Sequence, residues 1–155
     1  MHMNATNSRV KEVAMATAEV KLTKNQRLVL DLLCASDAPM SAYSILDQLR
    51  SEGLRAPLQV YRALDKLIGL GLIHRLESMN AFVACAHPSC HSVEMVGFAI
   101  CESCGKALEF ADNDVAEILS GWASANGFDA KSTSIEIKGT CASCQEKLES
   151  SSGAE

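Results

Sequence analysis

The chain has 155 residues, 48% hydrophobic and 21% charged, with a formal net charge of −5; that is enough for one ordinary core or two small ones and too little for a large multidomain enzyme. No stretch approaches the roughly 18 to 20 consecutive apolar residues that span a bilayer, and Met1 to Val20 lacks the basic start and apolar run of a secretory signal, so a compact soluble, cytoplasmic protein with no membrane partner is expected. Aromatic residues are only 5%, which argues against a carbohydrate platform or a base-stacking surface.

The charge is unevenly distributed. Residues 1–80 carry 10 Lys/Arg against 8 Asp/Glu, a balance of +2, whereas residues 81–155 carry 4 against 11, a balance of −7. Such a split fits a first half that meets polyanions and a second half with another task, although +2 over 80 residues is also ordinary.

Arg9 to Val20, rich in Ala, reads as a short amphipathic helix. Thr23-Lys24-Asn25-Gln26 has the spacing of a capping box and opens a helix running to about Ala35, with Leu28, Val29, Leu32 and Leu33 on its buried face; Asp37-Ala38-Pro39 ends it. Ser41 caps a second helix with Ile45, Leu46 and Leu49 inward and Tyr43 in its first turn, stopped at Glu52-Gly53. A third begins near Pro57, directs Leu64, Leu67 and Ile68 inward and ends at Gly69 and Gly71, with Gln59, Arg62 and Lys66 on its opposite face. Leu72 to Leu76 and Ala81 to Ala84 are β-prone runs joined by Glu77-Ser78-Met79-Asn80, a hairpin. Three short helices and a hairpin predict a winged helix-turn-helix over residues 1–85, whose third helix would enter the major groove with the hairpin as its wing.

The composition then shifts to His, Pro, Ser and Cys, marking a hinge over residues 86–92. Residues 93–148 predict a small α/β unit: strands over Glu94 to Cys101, Ala107 to Phe110 and Lys131 to Lys138, with an amphipathic helix from Asn113 to Asn126 gathering Val115, Ile118, Leu119 and Trp122 on one side. A unit this small is marginal alone and is expected to need a metal and a partner subunit. Residues 149–155 are Ser, Gly and acid, and are expected to be a disordered tail. The fold class is therefore α+β.

Seven cysteines are an odd number, and four of them form two C-x-x-C units, Cys101-Cys104 and Cys141-Cys144, separated by 36 residues, 105 to 140. Two residues between cysteines let both thiolates grip one ion from a tight turn, and two such knuckles complete a closed tetrahedral zinc site, hence a structural one. A thioredoxin-like redox reading is disfavoured because neither pair is expected to open a helix after a buried strand and neither has a proline or aromatic flank. Cys34 lies on an apolar helix face and is expected in the core. His74 on the first wing strand, Cys85 at the end of the second, His91 in the hinge and Glu109 after the first knuckle form a mixed donor set suited to Zn²⁺, with two anionic ligands to offset its charge. The same spacing is equally compatible with His74 packing on the wing, Cys85 acting as a small hydrophobe and Glu109 solvated.

Leu22-Thr23 through Gln26-Arg27, Ser41-Ala42-Tyr43, Val60-Tyr61-Arg62-Ala63-Leu64, the wing ending at Cys85, Cys101-x-x-Cys104-Gly105 and Cys141-x-x-Cys144 occur in the order seen in the ferric uptake regulator family, and the chain resembles most its zinc uptake regulator branch over about residues 22 to 145. The resemblance implies a zinc-responsive repressor, not an enzyme and without a small organic substrate, that binds a palindromic double-stranded DNA operator as a homodimer and controls zinc uptake genes. It places the structural zinc on Cys101, Cys104, Cys141 and Cys144 and the regulatory zinc on His74, Cys85, a loop histidine and Glu109, two ions per chain. It also places the DNA-reading residues at Tyr43, Tyr61 and Arg62. Arg62 can donate to guanine O6 and N7, or merely touch phosphate; Tyr61 can donate to DNA, or pack between helices. The iron and peroxide branches carry His-x-His-x-x-Cys before the first knuckle; here Met95-Val96-Gly97-Phe98-Ala99-Ile100 stands there, and with the soft donor Cys85 this favours zinc over iron or manganese. Two features depart from the family: the usual Pro-Thr before Val-Tyr-Arg is Leu58-Gln59, and the hinge offers several donors, of which His91 is preferred over His87, Cys90 and Glu94.

Overall fold

The computed structural model describes residues 20–86 and 95–152, and the chain divides into two compact units, Met1–His91 and Ser92–Glu155. The expected helix before residue 20 and the hinge donors His87, Cys90, His91 and Glu94 lie outside the described residues.

The first unit is three helices and a hairpin. Helix α1, Lys24–Ala35, starts at the capping box: Thr23 Oγ1 accepts from the Gln26 amide at 3.4 Å while Gln26 Oε1 accepts from the Thr23 amide at 3.0 Å. Its buried face is rotated from the expected one. Val29, Leu30, Leu33 and Cys34 are buried, and Leu28 and Leu32 pack at the edge of the core, because α1 must meet both neighbouring helices rather than one. Helix α2, Ala42–Leu49, is capped by Ser41 Oγ accepting from the Ser44 amide at 3.2 Å; a single 3-10 turn, Arg50–Glu52, follows it and ends at Gly53, whose φ of 108° needs a glycine. Helix α3, Pro57–Gly69, buries Val60, Ala63, Leu64 and Leu67. Ile68, expected inward, is exposed, since the buried stripe runs along 60, 63, 64 and 67, one position off it.

Strands β1, Ile73–Leu76, and β2, Ala81–Ala84, pair antiparallel with His74 opposite Val83. Asn80 closes the turn at φ 46°, a left-handed value that asparagine tolerates. A link absent from the sequence reading ties this wing to the helices: Met40 and Phe82 exchange backbone hydrogen bonds of 3.0 and 2.8 Å. Leu30, Ile45, Leu46, Leu54, Leu64 and Leu67 form the centre of a continuous core.

In the second unit β3, Met95–Cys101, is the centre of a sheet ordered β4-β3-β5, antiparallel to β4, Ala107–Phe110, and parallel to β5, Thr133–Gly139. Helix α4, Asn113–Ala125, makes the connection and is capped by Asp112 Oδ1, which accepts from the Val115 amide at 3.1 Å. Helix α5 spans Ala142–Ser152. The tail expected to be disordered from Glu149 is helical to Ser152, and the Ser150 and Ser151 hydroxyls, instead of competing for the amides of a turn, donate to carbonyls of the preceding turn at 2.8 to 3.1 Å; residues 153–155 lie outside the described residues. Among the described residues no helix is long and apolar enough to cross a membrane.

Candidate metal centres and nucleic-acid face

The strongest chemical signal of the sequence becomes a cluster. Cys101 ends β3 and Cys104 follows in a turn that Gly105 closes, its amide bonding the Cys101 carbonyl at 2.9 Å with φ 73°, a value open to glycine. Cys141 follows β5, and Cys144 lies in the first turn of α5, its amide 3.0 Å from the Cys141 carbonyl. Because β3 and β5 are adjacent and parallel, with Cys101 opposite Gly139, both knuckles leave the same end of the sheet, and the Glu102 amide bonds the Gly139 carbonyl at 2.8 Å to fix their separation.

The four sulfurs all lie within 4.8 Å of one another, with Cys104 Sγ and Cys141 Sγ at 3.8 Å. A tetrahedron of sulfurs about 2.3 Å from zinc has edges of about 3.8 Å, so the donor set fits that ion. Four protein ligands close the coordination shell, which suits a structural tie. The second pair does lie at a helix start, since α5 begins at Ala142 with two residues between it and β5, but β5 holds no buried residue, so neither pair opens a helix after a buried strand. What separates it from a dithiol pair is the presence of two further sulfurs within bonding range of one ion.

The surrounding amides tune these thiols unequally. The Cys141 amide donates to Cys101 Sγ at 3.3 Å and, with the Cys104 amide, pulls the Cys101 thiol down to about 6. The hydroxyl of Ser143, 3.3 Å from Cys141 Sγ, lowers Cys141. Cys144 is pushed up to about 12, first by its hydrogen bond with Cys141 and then by burial, which together hold its proton in place.

The second donor group is partly assembled within the first unit. His74 faces Val83 across the hairpin, and Cys85 lies two residues beyond Val83, so both side chains share one face of the wing as diagonal neighbours. The Cys85 amide bonds the Leu72 carbonyl at 3.0 Å, which holds the chain in register past the end of β2. The donor atoms of His74 and Cys85 lie within 4.8 Å of each other, with Cys85 buried and His74 half-buried. Glu109 is half-buried on β4 in the second unit, opposite Phe98.

Of the expected DNA-facing residues, Tyr43 is 64% exposed in the first turn of α2, and Arg62 is exposed on α3. Tyr61 is half-buried and packs on the helical core. Gln59, read as part of the outer face, turns back instead: its Oε1 accepts from the Arg55 and Ala56 amides at 2.8 and 3.1 Å, capping the start of α3 where Ala56 has no side chain to do so.

A helix-turn-helix with a two-stranded wing, followed by a small sheet carrying a four-cysteine cluster that could hold a metal ion, defines a two-unit winged-helix protein. The ferric uptake regulator family model matches residues 17–138. The chain belongs to that family. It is 37% identical over 136 residues to the zinc uptake regulation protein of Escherichia coli, covering 87% of this chain and 79% of that one. It is 32% identical over 136 residues to the zinc uptake regulation protein of Mycobacterium tuberculosis, covering 84% and 99%. Among solved structures, a zinc uptake regulator complexed with zinc and DNA resembles it with a TM-score of 0.83 at 33% identity, over 95% of this chain and 99% of that one.

Proposed function

We propose that this protein is a zinc-responsive transcriptional repressor, a homodimer that binds a palindromic DNA operator when its regulatory site is loaded and so controls genes of zinc uptake and homeostasis. The observation that carries this reading is the pairing of His74 with Cys85 on one face of the wing, in a winged-helix chain 37% identical to a zinc uptake regulation protein. Zinc, when bound, supplies a redox-inert tie between four ligands. Cys101, Cys104, Cys141 and Cys144 are its structural ligands; His74, Cys85, Glu109 and a hinge donor, His91 before His87, Cys90 or Glu94, are the regulatory ones.

The thiolate of Cys85 and the carboxylate of Glu109 offset the charge of the ion, while the imidazoles complete a set that disfavours harder metals. Joining wing residues to Glu109 narrows the range of positions that the DNA-binding units of a dimer sample, so less orientational freedom is lost on the operator and affinity rises. Tyr43 and Arg62 stand exposed to reach the duplex, Arg62 with the fork that fits guanine. The homodimer gains support from α4, whose Ile118 and Trp122 are 70% and 64% exposed although they form its apolar side.

The test is binding of the purified protein to its own upstream DNA in buffered free zinc, with the structural ion retained. Affinity is expected to rise by about 5- to 150-fold with zinc, and Cys85→Ser to abolish that rise while one ion per chain stays bound. Binding that is absent, or indifferent to zinc but responsive to iron, manganese or peroxide, refutes the zinc reading.

A further inference from the structure

The start of α3 carries an exposed side chain placed to reach base edges. First-turn residues of a recognition helix come nearest to base edges, and here they are Pro57, Leu58, Gln59 and Val60. Val60 is fully buried in the core, and Gln59 is turned back onto the Arg55 and Ala56 amides. Pro57 offers no donor and a short ring. That leaves Leu58, which is 58% exposed.

A single exposed leucine is ordinary on a protein surface; the position of this one is what matters. Leu58 precedes Arg62 by four residues, so the two side chains share a face of α3, and Arg62 is exposed as well. With neighbouring Gln59 committed to capping, the surface presented at the helix start is aliphatic rather than hydrogen-bonding. The feature of a base pair that such a surface distinguishes is the C5 methyl of thymine, which projects into the major groove.

We infer that Leu58 is a specificity-determining residue that packs on a thymine methyl group in each half of the operator, beside the base addressed by Arg62. The inference rests on the DNA-binding reading above. Four residues rise about 6 Å along a helix, so the thymine lies within about two base pairs of the Arg62 contact, at about 3.4 Å per pair.

The experiment replaces thymine by uracil at one operator position at a time, removing the methyl and leaving every hydrogen-bonding edge unchanged. With the zinc-loaded wild-type protein, one position in each half-site is expected to lose about fourfold in affinity, the scale of one buried carbon's transfer from water. Leu58→Ala is expected to bind thymine and uracil equally there, with the affinity of the wild type for the uracil operator. A flat uracil series with operator binding intact overturns the inference alone, as does a sensitive position that stays sensitive in Leu58→Ala. Failure of both proteins to bind any duplex, with or without zinc, removes the repressor reading and this inference with it.

Discussion

Cys101 and Cys144 sit at opposite ends of the acidity range of one cluster, the first at about 6 and the second at about 12. The difference has a readable consequence for metal uptake, since every ligating thiol must give up its proton. Near neutral pH the Cys144 value lies above the solution pH, so its proton is present before zinc binds and absent after; the Cys101 value lies below, and it releases none. As pH falls through about 6, Cys101 becomes protonated in the metal-free protein and contributes one further proton. Titration calorimetry of zinc binding in buffers of different ionisation enthalpy is therefore expected to show more protons released below that pH than at neutrality, with zinc affinity falling in step. A release that stays constant through this window contradicts the assignment. At this scale the sequence reading was strongest where chemistry repeats at short range: two C-x-x-C turns single out four cysteines, and the fold brings their sulfurs within 4.8 Å of one another. It was weakest for Gln59, whose two possible directions, outward to DNA or back to its own helix start, depend on whether the preceding residue can cap, and Ala56 cannot.

Elements carry their own constraints, and the clearest lies in β3. Gly97 is opposite Phe110 across the β3-β4 pair, and a Cβ at Gly97 would overlap the aromatic ring. The ring thus closes over the strand only because no side chain stands there. Gly97→Ala is expected to destabilise the second unit by roughly 1 to 3 kcal/mol as Phe110 is displaced, whereas Gly69→Ala at the end of α3, with open space around it, should change little. Denaturation followed by the fluorescence of Trp122, the chain's single tryptophan, measures the first directly; equal stability of Gly97→Ala and wild type would remove the packing argument. Nothing in Met95-Val96-Gly97-Phe98 announces this contact, because it depends on register with a strand ten or more residues away. Helix starts were legible for the opposite reason: Thr23, Ser41 and Pro57 act within one turn, and each begins a helix in the structure.

Across the whole molecule apolar burial is unequal. Of the buried hydrophobic residues described, only Met95, Phe98, Ile100, Cys101 and Ala123 belong to the second unit, while the first holds a continuous core centred on Leu30, Ile45, Leu64 and Leu67. A core so small does not sustain a fold of this size without a staple, and the four-sulfur cluster brings the end of β3 together with the start of α5. Stripping zinc from the full chain with a strong chelator is expected to unfold the second unit, seen as loss of amide-exchange protection in β3 and β5 and a shift in Trp122 emission, while α1 to α3 stay protected. Cooperative loss of both units, or protection unchanged in β3 and β5, would count against a stapled second unit.

By itself the sequence determined the first three described helices, the strands of both sheets, the caps Thr23 and Ser41 and the pairing of four cysteines in two C-x-x-C units, because each rests on interactions within a turn or on a chemical pattern repeated at fixed spacing. The tertiary structure decided which faces those elements bury: Leu30 inside rather than Leu28 and Leu32, Ile68 outside, and Ile118 and Trp122 left uncovered on α4. It also decided the meeting of Met40 with Phe82, the closure of Phe110 over Gly97, and the pairing of His74 with Cys85 on one face of the wing. These depend on strand register and on the directions from which neighbouring elements approach, and both are set only when distant segments pack together.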